Sequence, residues 1–222
     1  VVIRNGHFVF EKNPTERIRF LTNAVTPHVD LRNLSHKELA DLAREMRRNG
    51  YNMVRTHFLD QSLMLNGPGK DLEFNPSMLD KIDYFLYCMK QNGIYWNFDC
   101  MTSWVGYTTT NMHKMKDDTK SFKSLIFHDP AVRANWRKGV ERFLCRVNPY
   151  TKTRLIDDPV LVMAVAFNEQ EFGLWRDFDE RYFLPRWRKF LKQKYSTIEN
   201  LHKAWGPQSL SYKDFDEIPC LK

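Results

Sequence analysis

Apolar positions along this chain alternate between two periods. In "SHKELADLAREMRRNG", residues 35–50, Leu39, Leu42, Ala43 and Met46 fall on one helical stripe. Ser35 and Glu38 stand at capping-box spacing, and Gly50 is a natural stop. "YNMVRTHF" follows at once, and its alternation and β-branched and aromatic residues predict a strand. The pair then repeats. Asn75 and Pro76 open a helix whose stripe is Leu79, Ile82, Leu86 and Met89, Gly93 ends it, and "IYWNFDC" is the next strand. A third helix, "DPAVRANWRKGVERFLCRV", turns Val132, Trp136, Val140, Phe143 and Val147 inward. Beyond "NPYTKTRLIDDP" comes the most hydrophobic run of all, "VLVMAVAF", which breaks directly into Asn168, Glu169, Gln170 and Glu171.

Strands alternating with helices predict βαβ units and a parallel sheet. The start, "VVIRNGHFVF", reads as a hairpin around Asn5-Gly6, followed by a first parallel strand near 18–24. Two helix-to-strand links are little more than Asn-Gly, whereas the strand-to-helix links at 58–75 and 101–128 are long. Long connections leaving the carboxyl ends of strands mark the face where α/β proteins build sites. No GxGxxG or GxxxxGK[ST] follows a strand, which removes the nucleotide-binding reason for an open doubly wound sheet. The expected fold is therefore α/β, built from parallel (β/α) units of a TIM barrel. About four of its eight units are present, behind a short β-hairpin. Residues 1–17 form the leading hairpin and 18–222 the first four βα units of a partial catalytic domain.

Composition narrows the class. With 42% hydrophobic and 14% aromatic residues among 222, the chain can bury a core. No apolar run reaches membrane-spanning length, and the first residues do not read as a signal peptide. The net charge of +7 concentrates in "RYFLPRWRKFLKQK", residues 181–194. Leu184, Trp187 and Leu191 are at helical spacing there, so a core stripe with solvated cations is preferred to a nucleic-acid face. Cys88, Cys100, Cys145 and Cys220 show no CxxC pairing and no zinc spacing. Cys88 and Cys145 read as small apolar helix residues. No cofactor is called for, and neither a membrane nor a nucleic acid is expected as a partner.

Candidate chemistry gathers at the strand ends. Glu169 closes the fourth strand, and Asp99 the third, with Ser103 and Trp104 just beyond. Arg55 and His57, separated by one residue, project to the same side of the second strand. Singly, each has an ordinary structural explanation: a solvated loop Glu, a paired Arg, a hydrogen-bonded His, a Trp covering a loop. Jointly they would converge on one rim.

These residues carry a resemblance. "GYNMVRTHF", the run from "DPAVRANW" to "VAFNEQE", and "FLKQKYSTIENLHKAWG" resemble the amino-terminal half of clan A glycoside hydrolases. These are the retaining (β/α)8-barrel enzymes that include families 5 and 42. The Asn-Glu pair is the most specific part. The resemblance implies a glycosidase acting on a carbohydrate substrate, oligo- or polysaccharide, with Glu169 as general acid/base. It also implies that Asn168 bonds the sugar 2-hydroxyl, that Arg55 supports the nucleophilic carboxylate, and that His57 and Trp104 lie near the substrate, where strand-end position also puts Asp99. In that clan the nucleophile ends the seventh strand, and this chain stops after its fourth unit. Glu171, two residues from the acid on the same strand exit, cannot take that role. The chain alone is therefore expected to be inactive, with self-association or a second chain completing the barrel. An extracellular or periplasmic location would suit such an enzyme. Two further readings stand beside it: a non-catalytic carbohydrate-binding or assembly module, and a metal-dependent hydrolase using His57, Asp99 and Glu169.

Overall fold

A computed structural model describes residues 1–103, 105–108, 122–127, 129–169 and 180–219, with the side chains of 122, 124 and 180–182 left aside. Two compact units divide the chain, Val1–Gln170 and Glu171–Lys222.

The first unit opens with an antiparallel meander of β1 (Val2–Arg4), β2 (His7–Phe10) and β3 (Asn13–Arg17). Asn5 and Gly6 both take positive φ, 49° and 74°, as a two-residue hairpin turn with the right twist requires. The expected hairpin thus exists, but it gains a third strand. The parallel sheet begins at Thr22, not near residue 18, because the chain up to Arg17 is spent on pairing with β2.

The main sheet is all parallel, in the order β4 (Thr22–Val25), β5 (Met53–Thr56), β6 (Tyr95–Asp99), β7 (Leu161–Val165). Between them run α1 (Pro27–Asp30), α2 (His36–Arg48), α3 (Leu59–Met64), α4 (Pro76–Gln91), α5 (Phe122–Leu125) and α6 (Pro130–Leu144). The start signals work as read. Ser35 and Glu38 form a reciprocal capping box on α2, Asn75 caps Ser77 and Met78, and Asp129 caps Ala131 and Val132.

Alternation along the strands divides the sheet into two faces. Val54, Trp96 and Phe98 pack into a cluster with Leu39 and Met46 of α2, Ile82, Phe85 and Met89 of α4, and Phe143 of α6. The other face carries, in register, Ala24, Arg55, Asn97 and Met163. The long connection after β5 contains α3, whose Leu59, Leu63 and Met64 are buried and join the same core cluster. Strand β7 departs from expectation. Although it comes from the most apolar run, none of its residues is buried, and it is an edge of the sheet as described.

The second unit holds α7 (Glu180–Tyr195) and α8 (Ile198–Trp205) around Leu191, Leu201, Phe215 and Ile218. Trp187 packs on that core as its spacing predicts, while Phe190 stays 48% exposed with the Lys194 ammonium 5.6 Å from its ring. Cys145 corrects an expectation: it caps the end of α6 and is exposed, where an apolar interior role was read. Cys220 lies outside the described residues. Among the described residues no helix is long and apolar enough to cross a membrane.

Candidate active site

The carboxyl ends of β5, β6 and β7 bring four of the expected residues together. Asp99, the last residue of β6, is fully buried. Its carboxylate accepts from Arg55 Nε at 2.9 Å, from His57 Nδ1 at 3.0 Å and from Thr102 Oγ1 at 3.1 Å. Among these partners the carboxylate oxygen accepts, so the network assigns a proton to His57 Nδ1. Arg55 spends its other end on Asn168, with Nη2 donating to Oδ1 across 2.6 Å. Guanidinium nitrogens cannot accept, so the Asn168 carbonyl must face Arg55, and its NH2 group remains a donor.

Glu169 follows directly, in left-handed backbone conformation with φ 52°. That conformation is uncommon for a residue with a long side chain and costs about 1 kcal/mol or more. Phe58, just after Arg55 and His57, is likewise left-handed, with φ 53°. The chain therefore bends sharply as it leaves both strands. The Glu169 side chain is 64% exposed, and its one described ion pair is with Lys123 of α5, at 3.8 Å from Nζ to Oε2.

Lys123 is unusual in the opposite sense, because its side chain is only 4% exposed. Its Nζ lies 3.4 Å from the Thr102 carbonyl oxygen and 5.7 Å from the Phe167 ring centroid. Burial lowers its pKa, and the charges of Glu169 and Asp60 act against that shift.

The loop beyond β6 is fastened from below. Asp60, fully buried on α3, accepts from Ser103 Oγ at 2.7 Å and from the backbone N–H groups of Ser103 and Thr102. Desolvation raises its carboxyl pKa although these hydrogen bonds oppose it. Tyr107 and Trp136 both donate to the Cys100 carbonyl at 3.2 Å. The Tyr107 ring lies against Gly139 of α6, where an added Cβ would sit 2.2 Å from ring carbons.

Arg55, His57, Asp99 and Asn168 thus form one hydrogen-bonded group beside Glu169. Asp99 takes its place under the rim, with its oxygens engaged by Arg55, His57 and Thr102. Trp104, Gln170 and Glu171 lie outside the described residues. Lys123, Asp60 and Thr102 escaped the sequence reading, because a lysine in a long polar connection shows no period. For Asp60 a faint signal existed: it interrupts the apolar run "FLDQSLM". Among the described residues no three His, Cys, Asp or Glu side chains gather at metal-ligand spacing.

Four parallel strands alternating with helices are the arrangement of half a (β/α)8 barrel. The family profile of glycoside hydrolase family 42, described as beta-galactosidase, matches residues 100–220, and the chain belongs to that family. An endo-1,4-beta-mannanase from Rhizomucor miehei superposes with a TM-score of 0.60 at 16% identity, over 89% of this chain and 56% of that one. A glycoside hydrolase family 5 mannosidase from the same organism gives 0.55 at 14% identity, over 82% and 50%. At such identities the likeness speaks for the fold, which is that of these barrels. The chain spans about half the length of these solved structures. No curated protein matches it.

Proposed function

We propose that this chain supplies the acid/base half of a retaining β-glycosidase acting on oligo- or polysaccharide. The observation that carries the reading is the Arg55–Asn168 contact. It presents an amide donor beside a strand-end carboxylate, Glu169, which is the pair that leaving-group departure needs. In this reading Glu169 protonates the glycosidic oxygen while a second carboxylate attacks the anomeric carbon. The two carboxyl groups stand about 5–5.5 Å apart in retaining enzymes. Asp99 is buried and held by Arg55, so the nucleophile comes from residues beyond those described. The Asn168 amide bonds a sugar hydroxyl more strongly as charge develops at the neighbouring carbon. The β-galactosidase family and the mannanase neighbours both suggest β-linked hexopyranosides.

The test is hydrolysis of aryl β-galactosides and β-mannosides by the complete enzyme that carries this chain. Glu169→Gln should lower kcat/KM on unactivated substrates by about 1,000-fold, with substrate binding kept. Full turnover by that variant would remove Glu169 from the role. Binding of oligosaccharide by the unmodified enzyme without any hydrolysis would favour a carbohydrate-binding module instead.

A further inference from the structure

Phe58 is a bulky side chain on a backbone that does not suit one. It follows β5 with φ 53° and ψ 33°, in the left-handed region where a large residue is an outlier. The fold holds it there. The Phe58 carbonyl accepts from the Ser62 backbone N–H at 2.9 Å and from Ser62 Oγ at 2.6 Å. Ser62 is fully buried, and its hydroxyl also meets the His28 backbone N–H at 3.2 Å and His28 Nδ1 at 2.8 Å, which ties the bend to α1. Strain of this kind persists only where the surroundings over-determine it, and it concentrates at binding sites.

The bend changes which way the ring faces. Neighbouring side chains on an extended strand point to opposite faces of the sheet, so alternation alone would put Phe58 with Val54 and Thr56 on the helix-covered side. Instead its ring centroid lies 4.4 Å from that of His57, at an interplanar angle of 68°. This edge-to-face pair sets the half-buried ring beside the imidazole that bonds Asp99. Among the described residues, the apolar cluster that takes in Val54, Trp96 and Phe98 does not include it.

We propose that Phe58 is a specificity-determining residue whose ring, beside His57, receives the apolar C–H face of a pyranose ring of the substrate. The proposal rests on the reading of this rim as a glycosidase site. Binding sites combine a few placed polar groups with apolar and aromatic surface. Arg55, His57, Asp99 and Asn168 supply the polar part, which suits sugar hydroxyls, and Phe58 supplies a flat face for the C–H groups between them. Such a contact is made to bound substrate and transition state alike, so it acts on KM and leaves kcat.

The experiment compares Phe58→Leu, Phe58→Tyr and Phe58→Gly in the complete enzyme, with aryl β-galactosides, aryl β-mannosides and β-linked oligosaccharides of these hexoses. Phe58→Leu keeps apolar bulk and loses the flat face, so KM should rise about tenfold with kcat within about threefold. Phe58→Tyr keeps the face and should stay within about twofold in both. Phe58→Gly should raise KM as Phe58→Leu does. Its urea midpoint should nevertheless stay within about 0.5 M of the unmodified protein's, since glycine adopts this backbone without strain and offsets the lost ring contact. Titration of oligosaccharide into Glu169→Gln forms of the same variants should show the same loss of affinity without turnover. An unchanged KM in Phe58→Leu, or an equal rise in Phe58→Tyr, would overturn the proposal. So would a midpoint lowered further in Phe58→Gly, because the ring would then be a structural support. If the unmodified enzyme hydrolyses none of these β-glycosides, the reading of the site falls and takes the Phe58 role with it. If it hydrolyses them and the Phe58 variants bind as it does, only the Phe58 proposal is lost.

Discussion

Arg55 Nη2 and Asn168 Oδ1 meet at 2.6 Å although 113 residues of chain separate them. The same guanidinium holds the buried Asp99 through Nε. One planar fork therefore sets two side chains on different strands, which a single ammonium could not do. Arg55→Lys should keep the fold but lose the Asn168 contact, lowering kcat/KM of the complete enzyme about 100-fold. Arg55→Met leaves Asp99 buried with one cationic neighbour fewer, and should cost about 3 kcal/mol in urea unfolding. Equal stability of the Met and Lys variants would show that the pair is not what holds this rim.

If Arg55 orients the Asn168 amide through its oxygen, what matters for a substrate at Asn168 is its NH2 group. Asn168→Asp keeps an oxygen for Arg55 but has no donor to offer. Both Asn168→Asp and Asn168→Ala should therefore lose about 100-fold in kcat/KM. Their unfolding free energies should stay within about 1 kcal/mol of the unmodified protein. Retained activity in the Asp variant would place the required interaction on the oxygen.

Gly139 is the point where α6 lets Tyr107 lie flat against its backbone. A methyl group there would overlap ring carbons at 2.2 Å, and the ring is fully buried and tied to the Cys100 carbonyl. Gly139→Ala should destabilise by about 3 kcal/mol, although alanine favours helices. Tyr107→Ala in the same chain should relieve part of that loss, and calorimetric midpoints of the single and double variants measure the coupling. Additive losses would mean that the ring does not enforce the glycine.

The elements that proved legible were those whose signals are local. Ser35, Asn75 and Asp129 cap their helices as spacing alone foretold, and three parallel strands stand at "YNMVRTHF", at "IYWNFDC" and in the apolar run that begins at Val160. Asn5-Gly6 marked its turn for the same reason. The third meander strand was not legible: Asn13–Arg17 contains a proline and is exposed throughout, and only pairing with β2 makes it a strand. At the rim, strand-end position announced Arg55, His57, Asp99 and Asn168. It could not show that Asp99 lies beneath the others, since that depends on which donors converge from Arg55, His57 and Thr102. Lys123 was beyond reach altogether, because its burial goes with contacts to the Thr102 carbonyl and the Phe167 ring that no local period announces.

Edge strands carry a consequence for the chain by itself. β4 and β7 each have one unpaired side among the described residues, and β7 presents Leu161–Val165 without burying any of them. Such edges recruit other chains. The isolated chain should sediment as oligomers at micromolar concentration, and Val162→Lys on β7 should shift it toward monomer. A monodisperse unmodified monomer would show that the edge is already protected.

Asp60 ties function to pH through a sign that can be worked out in advance. Burial raises its carboxyl pKa above the ordinary 3.8, so the folded chain holds this proton more tightly than the unfolded chain does. As pH rises through the interval between those two values, the unfolded state releases its proton first, and this group's contribution to stability declines. Asp60→Asn cannot titrate, and it turns an N–H donor toward the donors of Thr102 and Ser103. A loss of about 2 kcal/mol is expected. Measured against the unmodified protein between about pH 4 and pH 7, that deficit should be largest at the acid end and narrow as pH rises. A deficit that widens with pH would mean that the hydrogen bonds from Ser103 and Thr102 outweigh desolvation, and that Asp60 ionises readily under the rim.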